Sequence, residues 1–183
     1  MKRLFICTGL LLAATTMFAQ QKAPASPAAK ESATIGGKAI TITYNAPAVK
    51  GREGKIFTKD GLISHNPHYP VWRAGANTAT ALHTDADLRI GGQDGIAVPK
   101  GDYTLFVDIS DPDNWVLIVN KQVGQWGLAY DSAQDLGKVK MMMSKPPALV
   151  ENLKFTLTDR GDGRGTLNLS WENMSASVPL HVH

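Results

Sequence analysis

From Ala33 to the end of the chain, apolar residues come in short or alternating runs, cut at close spacing by Gly, Pro, Asn and Asp. No stretch carries the longer period of a helix of ordinary length; strands and tight turns are what such punctuation permits. "KAITITYN" sets the pattern. Ile40, Ile42 and Tyr44 alternate with Thr41 and Thr43, so one face can be buried while the other meets water. Further runs are "TATALHT", "DLRI", "DYTLFVDI", "NWVLIVN", "KVKMMM", "LKFTLT", "GTLNLSW" and "VPLHVH". Together they predict an all-β, single-domain antiparallel β-sandwich of about nine strands. "SDPDN" and "RGDGRG" have the turn chemistry to close two hairpins. "YDSAQDLGKV" can form one helical turn capped by Asp131 or Ser132. Residues 51–70 read as a long connection with a weak strand near Ile56, and a long loop inside a compact domain is often functional.

The first residues read differently. Lys2 and Arg3 precede an apolar run from Leu4 to Ala14 and then small residues, the order of a secretory signal peptide over residues 1–20. That run is well short of the roughly 20 residues of a membrane span, so a soluble periplasmic or secreted protein is expected. Residues 21–32, "QKAPASPAAKES", hold no large apolar side chain and are expected to be a flexible tether to a domain over 33–183. Removing residues 1–20 takes the formal charge from +3 to +1, so no basic face for nucleic acid is implied. The same step removes Cys7, the only cysteine, and with it thiol catalysis and cysteine-ligated metal. The remaining chain of about 160 residues must rely on burial, and that length suffices for one core.

Six phrases in order, "ITITYNAPAVKGRE", "VWRAGANTATAL", "VPKGDYTLFVD", "NWVLIVNK", "QWGLAYDSAQDLGKVKM" and "LNLSWEN", resemble the exported bacterial family DUF2911. The resemblance covers nearly all of residues 33–183. It implies a secreted or periplasmic β-rich domain and supplies no catalytic residue to carry over. Where the family runs from Gly-Leu-Val-Pro-Tyr-Gly-Lys into Val-Trp-Arg, this chain has "GLISHNPHYPVWR", which marks His65 and His68 as local additions. The terminal "HVH" is likewise not a family feature.

Those histidines are the candidate metal ligands. His65 and His68 are three apart, and His181 and His183 would share one face of a strand, so two pairs brought together could bind copper or zinc. Against this stands the plainer reading of an exposed loop and a frayed terminus. Asp108, Asp111 and Asp113 read as a solvated hairpin turn, lacking the glycine and terminal Glu of a calcium loop. No nucleophile elbow is present, and neither glycine-rich stretch opens a helix toward a phosphate.

Aromatic and cationic residues carry the binding argument. Trp115 and Trp171 lie in apolar runs and read as core. Trp126, in "GQWGLAY", can either plug one end of the sandwich or stack on a sugar or aromatic ligand. Trp72 and Arg73 are adjacent, so in a strand they point to opposite faces. Arg73 is then either spent on an internal carboxylate, the reading turns of this kind favour, or free to hold a ligand carboxylate or phosphate beside Asn77. Asn77 also suits a left-handed turn position. The expectation is an exported, non-catalytic binding or accessory domain for a small molecule, glycan or envelope component, with Trp72, Arg73, Asn77 and Trp126 at its site. It needs no cofactor, binds no nucleic acid and has no membrane span. The competing expectation is a periplasmic hydrolase or metal-dependent enzyme built on His65, His68, His181 and His183.

Overall fold

The computed structural model describes residues 25–183, and the expected signal peptide lies outside them. Two antiparallel sheets pack face to face. The first holds β1 (Ala28–Ile35), β2 (Lys38–Asn45), β3 (Val71–Trp72), β4 (Thr80–Thr84), β7 (Gly101–Asp108), β8 (Val116–Asn120) and β9 (Asp135–Lys140). The second holds β5 (Leu88–Ile90), β6 (Ile96–Val98), β10 (Met142–Ser144), β11 (Val150–Gly161), β12 (Arg164–Glu172) and β13 (Met174–Val182). Their orders are β1-β2-β4-β7-β8-β9, with β3 also on β7, and β11-β12-β13-β5-β6, with β10 on β13. All ladders are antiparallel.

The described residues therefore form thirteen strands rather than about nine. "KVKMMM" is two strands: β9 pairs with β8 and β10 with β13, so the chain changes sheets at the buried Met141. The short strands β3 and β6 were too brief to read as runs. No strand forms near Ile56; that residue is fully buried and pins the long connection to the core instead. The tether also ends earlier than expected. Residues 28–32 belong to β1, which pairs with β2 along its whole length through a Gly36–Gly37 turn whose φ values are 56° and 75°. Backbone pairing, rather than large side chains, holds this edge, and Glu31 Oε1 accepts from the Leu157 amide at 3.0 Å to tie it to the other sheet. Composition could not reveal that.

Both expected hairpins form. β7 and β8 flank "SDPDN", where the Asp111 carboxylate accepts from the Asp113 amide and the Asn114 side chain, which hold its pKa below the ordinary value. β11 and β12 meet at Asp162 and Gly163, with φ values of 54° and 71°, the left-handed pair of a tight hairpin turn. Asp131 caps the single turn Ser132–Gln134 by accepting from the Ala133 amide.

The core lies between the sheets. Ile40, Ile42, Leu105, Val107 and Leu117 face Phe155, Leu157, Leu169, Val178 and Leu180. Each such burial is worth about 1.5–3 kcal/mol. At one end Phe57, from the long connection, sits among three tryptophans, with ring centroids 5.8 Å from Trp72, 4.9 Å from Trp115 and 5.7 Å from Trp171. On the outer face of the first sheet, Phe106 and Ile118 are buried as well. Residues 121–134 cross that face, and Tyr130 packs on Phe106 at 4.8 Å. Side-chain hydrogen bonds anchor this crossing loop and its ends. Thr104 Oγ1 donates to Gln122 O at 2.7 Å, Asn120 Nδ2 donates to Asp131 O and Asp135 Oδ1 at 2.9 Å, and the Tyr130 hydroxyl donates to Asp135 Oδ2 at 2.8 Å. Burial, reinforced by that carboxylate, pushes the Tyr130 pKa well above the ordinary phenol value.

Register explains the segment "RAGANTA". Trp72 pairs with Val107 and Thr80 pairs with Leu105, so β3 and β4 run end to end along the same side of β7. Residues 73–79 are an excursion from what is otherwise one strand. Ala74 and Asn77 turn it through left-handed conformations, with φ values of 51° and 59°. Trp72 Nε1 donates to Gly75 O, and Thr80 Oγ1 donates to Ala74 O, so both ends of the excursion are tied to itself.

Candidate functional site

The excursion forms one wall of a cleft of about 440 Å³. Lys50, just before the long connection, and Arg52 and His65 within it stand on another side, Leu128 from the crossing loop closes a third, and Trp171 of β12 is part of its lining. No Asp or Glu lines it. Arg52 is committed to the backbone, donating from Nε to Val49 O and from its terminal nitrogen to Ala48 O. Arg73 is not. Its Nε is buried without a hydrogen-bond partner among the described residues, and no carboxylate pairs with it. The expectation that an internal carboxylate occupies Arg73 is thus overturned: Gly127, rather than an acid, packs against its side chain. Burial lowers its pKa from the ordinary value, and a guanidinium nevertheless stays charged.

Trp171, part of the same lining, also carries a buried unpaired donor. The Trp171 indole N–H is buried and has no partner among the described residues. Two donors left unsatisfied beside one concavity are unusual, because buried polar groups are nearly always bonded. The formal charges in this lining, on Lys50, Arg52 and Arg73, are all positive.

The four expected site residues divide. Arg73 and Asn77 both line the cleft. Trp72 contributes only a floor: it is 3 % exposed, its N–H is used within the excursion, and it stacks on Trp171 at 5.9 Å. Trp126 lies outside the lining but beside it, bridged through its backbone to Thr78 and 55 % exposed. That exposure rules out the plug reading, because the crossing loop is sealed by Tyr130 and leaves Trp126 outward. Lys50, Arg52 and Trp171 were not foreseen. Two lie in or just before a connection whose path sequence patterning cannot trace, and Trp171 has an ordinary apolar setting that conceals an unpaired N–H.

The histidine pairs do not converge. His65 rims the cleft, while His68 Nε2 meets Leu128 O at 2.9 Å and its ring packs on Tyr130. His181 and His183 do share a face, with ring centroids 4.5 Å apart, but they line a different pocket on the second sheet. Among the described residues no group of three or more His, Cys, Asp or Glu could hold a metal ion. The metal-enzyme expectation built on these pairs loses its geometry, because β13 and the 51–70 connection deliver them to separate surfaces.

His83 is the one histidine enclosed by carboxylates. Its Nδ1 lies 2.7 Å from Asp102 and its Nε2 3.1 Å from Asp85, so neither ring nitrogen is left for a substrate. The hydrogen bond to Asp102, then that to Asp85, raises its pKa above 6.5. A raised folded-state value stabilises the fold fully below the unfolded value and loses that stabilisation as pH rises through the folded one. The melting temperature should therefore decline as pH rises above about 6.5, and His83→Gln should flatten that decline. Parallel profiles for the two proteins would rule out His83 as its source.

The family model described as a protein of unknown function (DUF2911) matches residues 26–180. The chain belongs to the DUF2911 family. No curated protein and no solved structure matches it. The DUF2911 match begins just before β1, in accord with that strand belonging to the domain. It also spans every residue of this DUF2911 cleft from Ser26 onward. No helix among the described residues is long and apolar enough to cross a membrane.

Proposed function

We propose that this DUF2911 domain is an exported, non-catalytic binding domain whose ligand is a small acidic molecule, with an acidic sugar of an envelope glycan fitting best. The carrying observation is the half-buried Arg73, which lines a cleft without acidic residues, has its Nε buried without a partner, and pairs with no carboxylate among the described residues. An unpaired buried charge is expensive, and a domain that keeps one retains it for something that binds there. The guanidinium fork matches a carboxylate in two-point geometry, the Asn77 amide and Trp171 N–H supply further contacts, and Leu62 and Leu128 offer apolar walls. Outside the mouth, the exposed Trp126 ring is a surface on which a saccharide face can stack. The signal-peptide reading of residues 1–20 places such a domain where envelope glycans occur.

The test is Arg73→Met, a substitution of similar length without charge. The ligand-free variant should be more stable than the parent by about 1–3 kcal/mol, because an unpaired charge leaves a partly dry site and no bond is lost. Glucuronate should raise the melting temperature of the parent, glucose should not, and the variant should respond to neither. A less stable variant, or one that still responds to glucuronate, would show that Arg73 serves the fold rather than a ligand.

A further inference from the structure

A separate surface carries the strongest cationic grouping among the described residues. Arg164 of β12 pairs in register with His181 of β13, and His181 pairs in register with Arg89 of β5. Residues directly opposite one another in adjacent strands point to the same face, so these three side chains form a row across three strands. Arg160 joins the row from the end of β11, its Nε donating to Thr166 Oγ1 at 3.4 Å. His183, two residues beyond His181, extends it along β13. All five line one groove of about 790 Å³ over the outer side of the second sheet, and no Asp or Glu is in that lining.

The row is not a by-product of a basic protein, because the formal charge without residues 1–20 is only +1. Among the described residues the only carboxylate paired with any of these cations is the exposed Asp162, 2.9 Å from Arg164. The groups are also held in place. Arg89 donates from one terminal nitrogen to Gln93 O and Gly95 O, both at 3.3 Å, which aims the guanidinium before anything binds. Fixing a long side chain in advance removes an entropy cost that binding would otherwise meet. Adjacent strands are about 4.8 Å apart, so the two outer guanidinium groups start from backbone positions about 10 Å apart, with an imidazole between them. That spacing suits a ligand carrying several oxyanions better than a single carboxylate.

We infer that this groove is a second binding site, for a soluble ligand bearing two or more phosphate or sulfate groups. The outer arginines grip its end groups, and His181 donates to the middle. Arginine forks are the favoured partners of such groups, and clustered positive charge in a concavity concentrates the field. The inference does not depend on the Arg73 cleft, whose residues are different.

Inorganic tripolyphosphate is the probe, titrated calorimetrically into the full exported chain at low salt, with inorganic phosphate alongside. Tripolyphosphate should bind, bind more tightly than phosphate, and weaken as salt is raised. Arg89→Gln and His181→Gln should each weaken it about tenfold. The His181 side chain bonds no carbonyl among the described residues and is on the outer face, so His181→Gln should not melt below the parent and leaves the carbonyl anchors of Arg89 intact, whereas Arg89→Gln gives those anchors up. No heat with tripolyphosphate, equal affinity in parent and variants, or binding only to phosphatidylglycerol vesicles would each overturn the inference.

Discussion

Trp171→Ala should lower the unfolding free energy by about 3–5 kcal/mol, the largest effect of any prediction made for this domain. The ring is 2 % exposed, stacks on Trp72 at an interplanar angle of 22°, and meets Phe57 edge-on. Truncation removes contacts with the long connection and with the first sheet together, and opens the core into the cleft. Trp171→Phe should behave quite differently. It loses some buried area but also removes an N–H that is buried without a partner, a group whose isolation costs about 1–3 kcal/mol. The two terms oppose, so the phenylalanine variant should remain within about 1.5 kcal/mol of the parent. Urea unfolding of parent and both variants gives the comparison. Equal losses for Phe and Ala would mean that the indole N–H is satisfied.

Gly127→Ala should be the next most damaging, at about 1–3 kcal/mol. A Cβ there would lie 2.0 Å from Arg73 Cδ and 2.6 Å from the Asn77 carbonyl oxygen. The first obstruction is a side chain that can move; the second is backbone, held by the 3.0 Å bond that the Gly127 amide donates to the same oxygen. Relieving both means displacing the excursion that carries Arg73, so glucuronate binding should fall along with stability. Combining Gly127→Ala with Arg73→Ala should recover part of the loss, since one of the two collisions disappears. The pair should therefore be non-additive by about 0.5–3 kcal/mol, the range for residues in contact. Strict additivity would show that Arg73 does not rest against Gly127.

Fold class was legible because alternation is a local signal: Ile40, Ile42 and Tyr44 declare their face wherever the strand ends up. The turns were legible for the same reason, with Asp162 and Gly163 providing the left-handed pair their hairpin needs. β1 was not, since its alanines, Lys30 and Glu31 gain little from burial and much from pairing with β2 across eight residues. Arg73 and Asn77 could be nominated from residue type and neighbours. Their partners could not. That Arg73 has no acid beside it, that Trp171 has no acceptor, and that Arg164, His181 and Arg89 fall in one row are facts of register between distant strands. The same ignorance of register made the two histidine pairs look combinable, when the topology sends them to different surfaces.

The end-to-end placement of β3 and β4 on β7 makes residues 73–79 an insert within one strand path. Its anchors, Trp72 on Val107 and Thr80 on Leu105, are set by a neighbouring strand that never contacts the inserted residues in register. Residues 73–79 carry no ladder pairing to β7, while the buried Ala74 and the Ala74 and Gly75 carbonyls fasten them to Thr80 and Trp72. The register on β7 is thus set from Trp72 and Thr80 outward, and the insert between them adds no rung to that ladder.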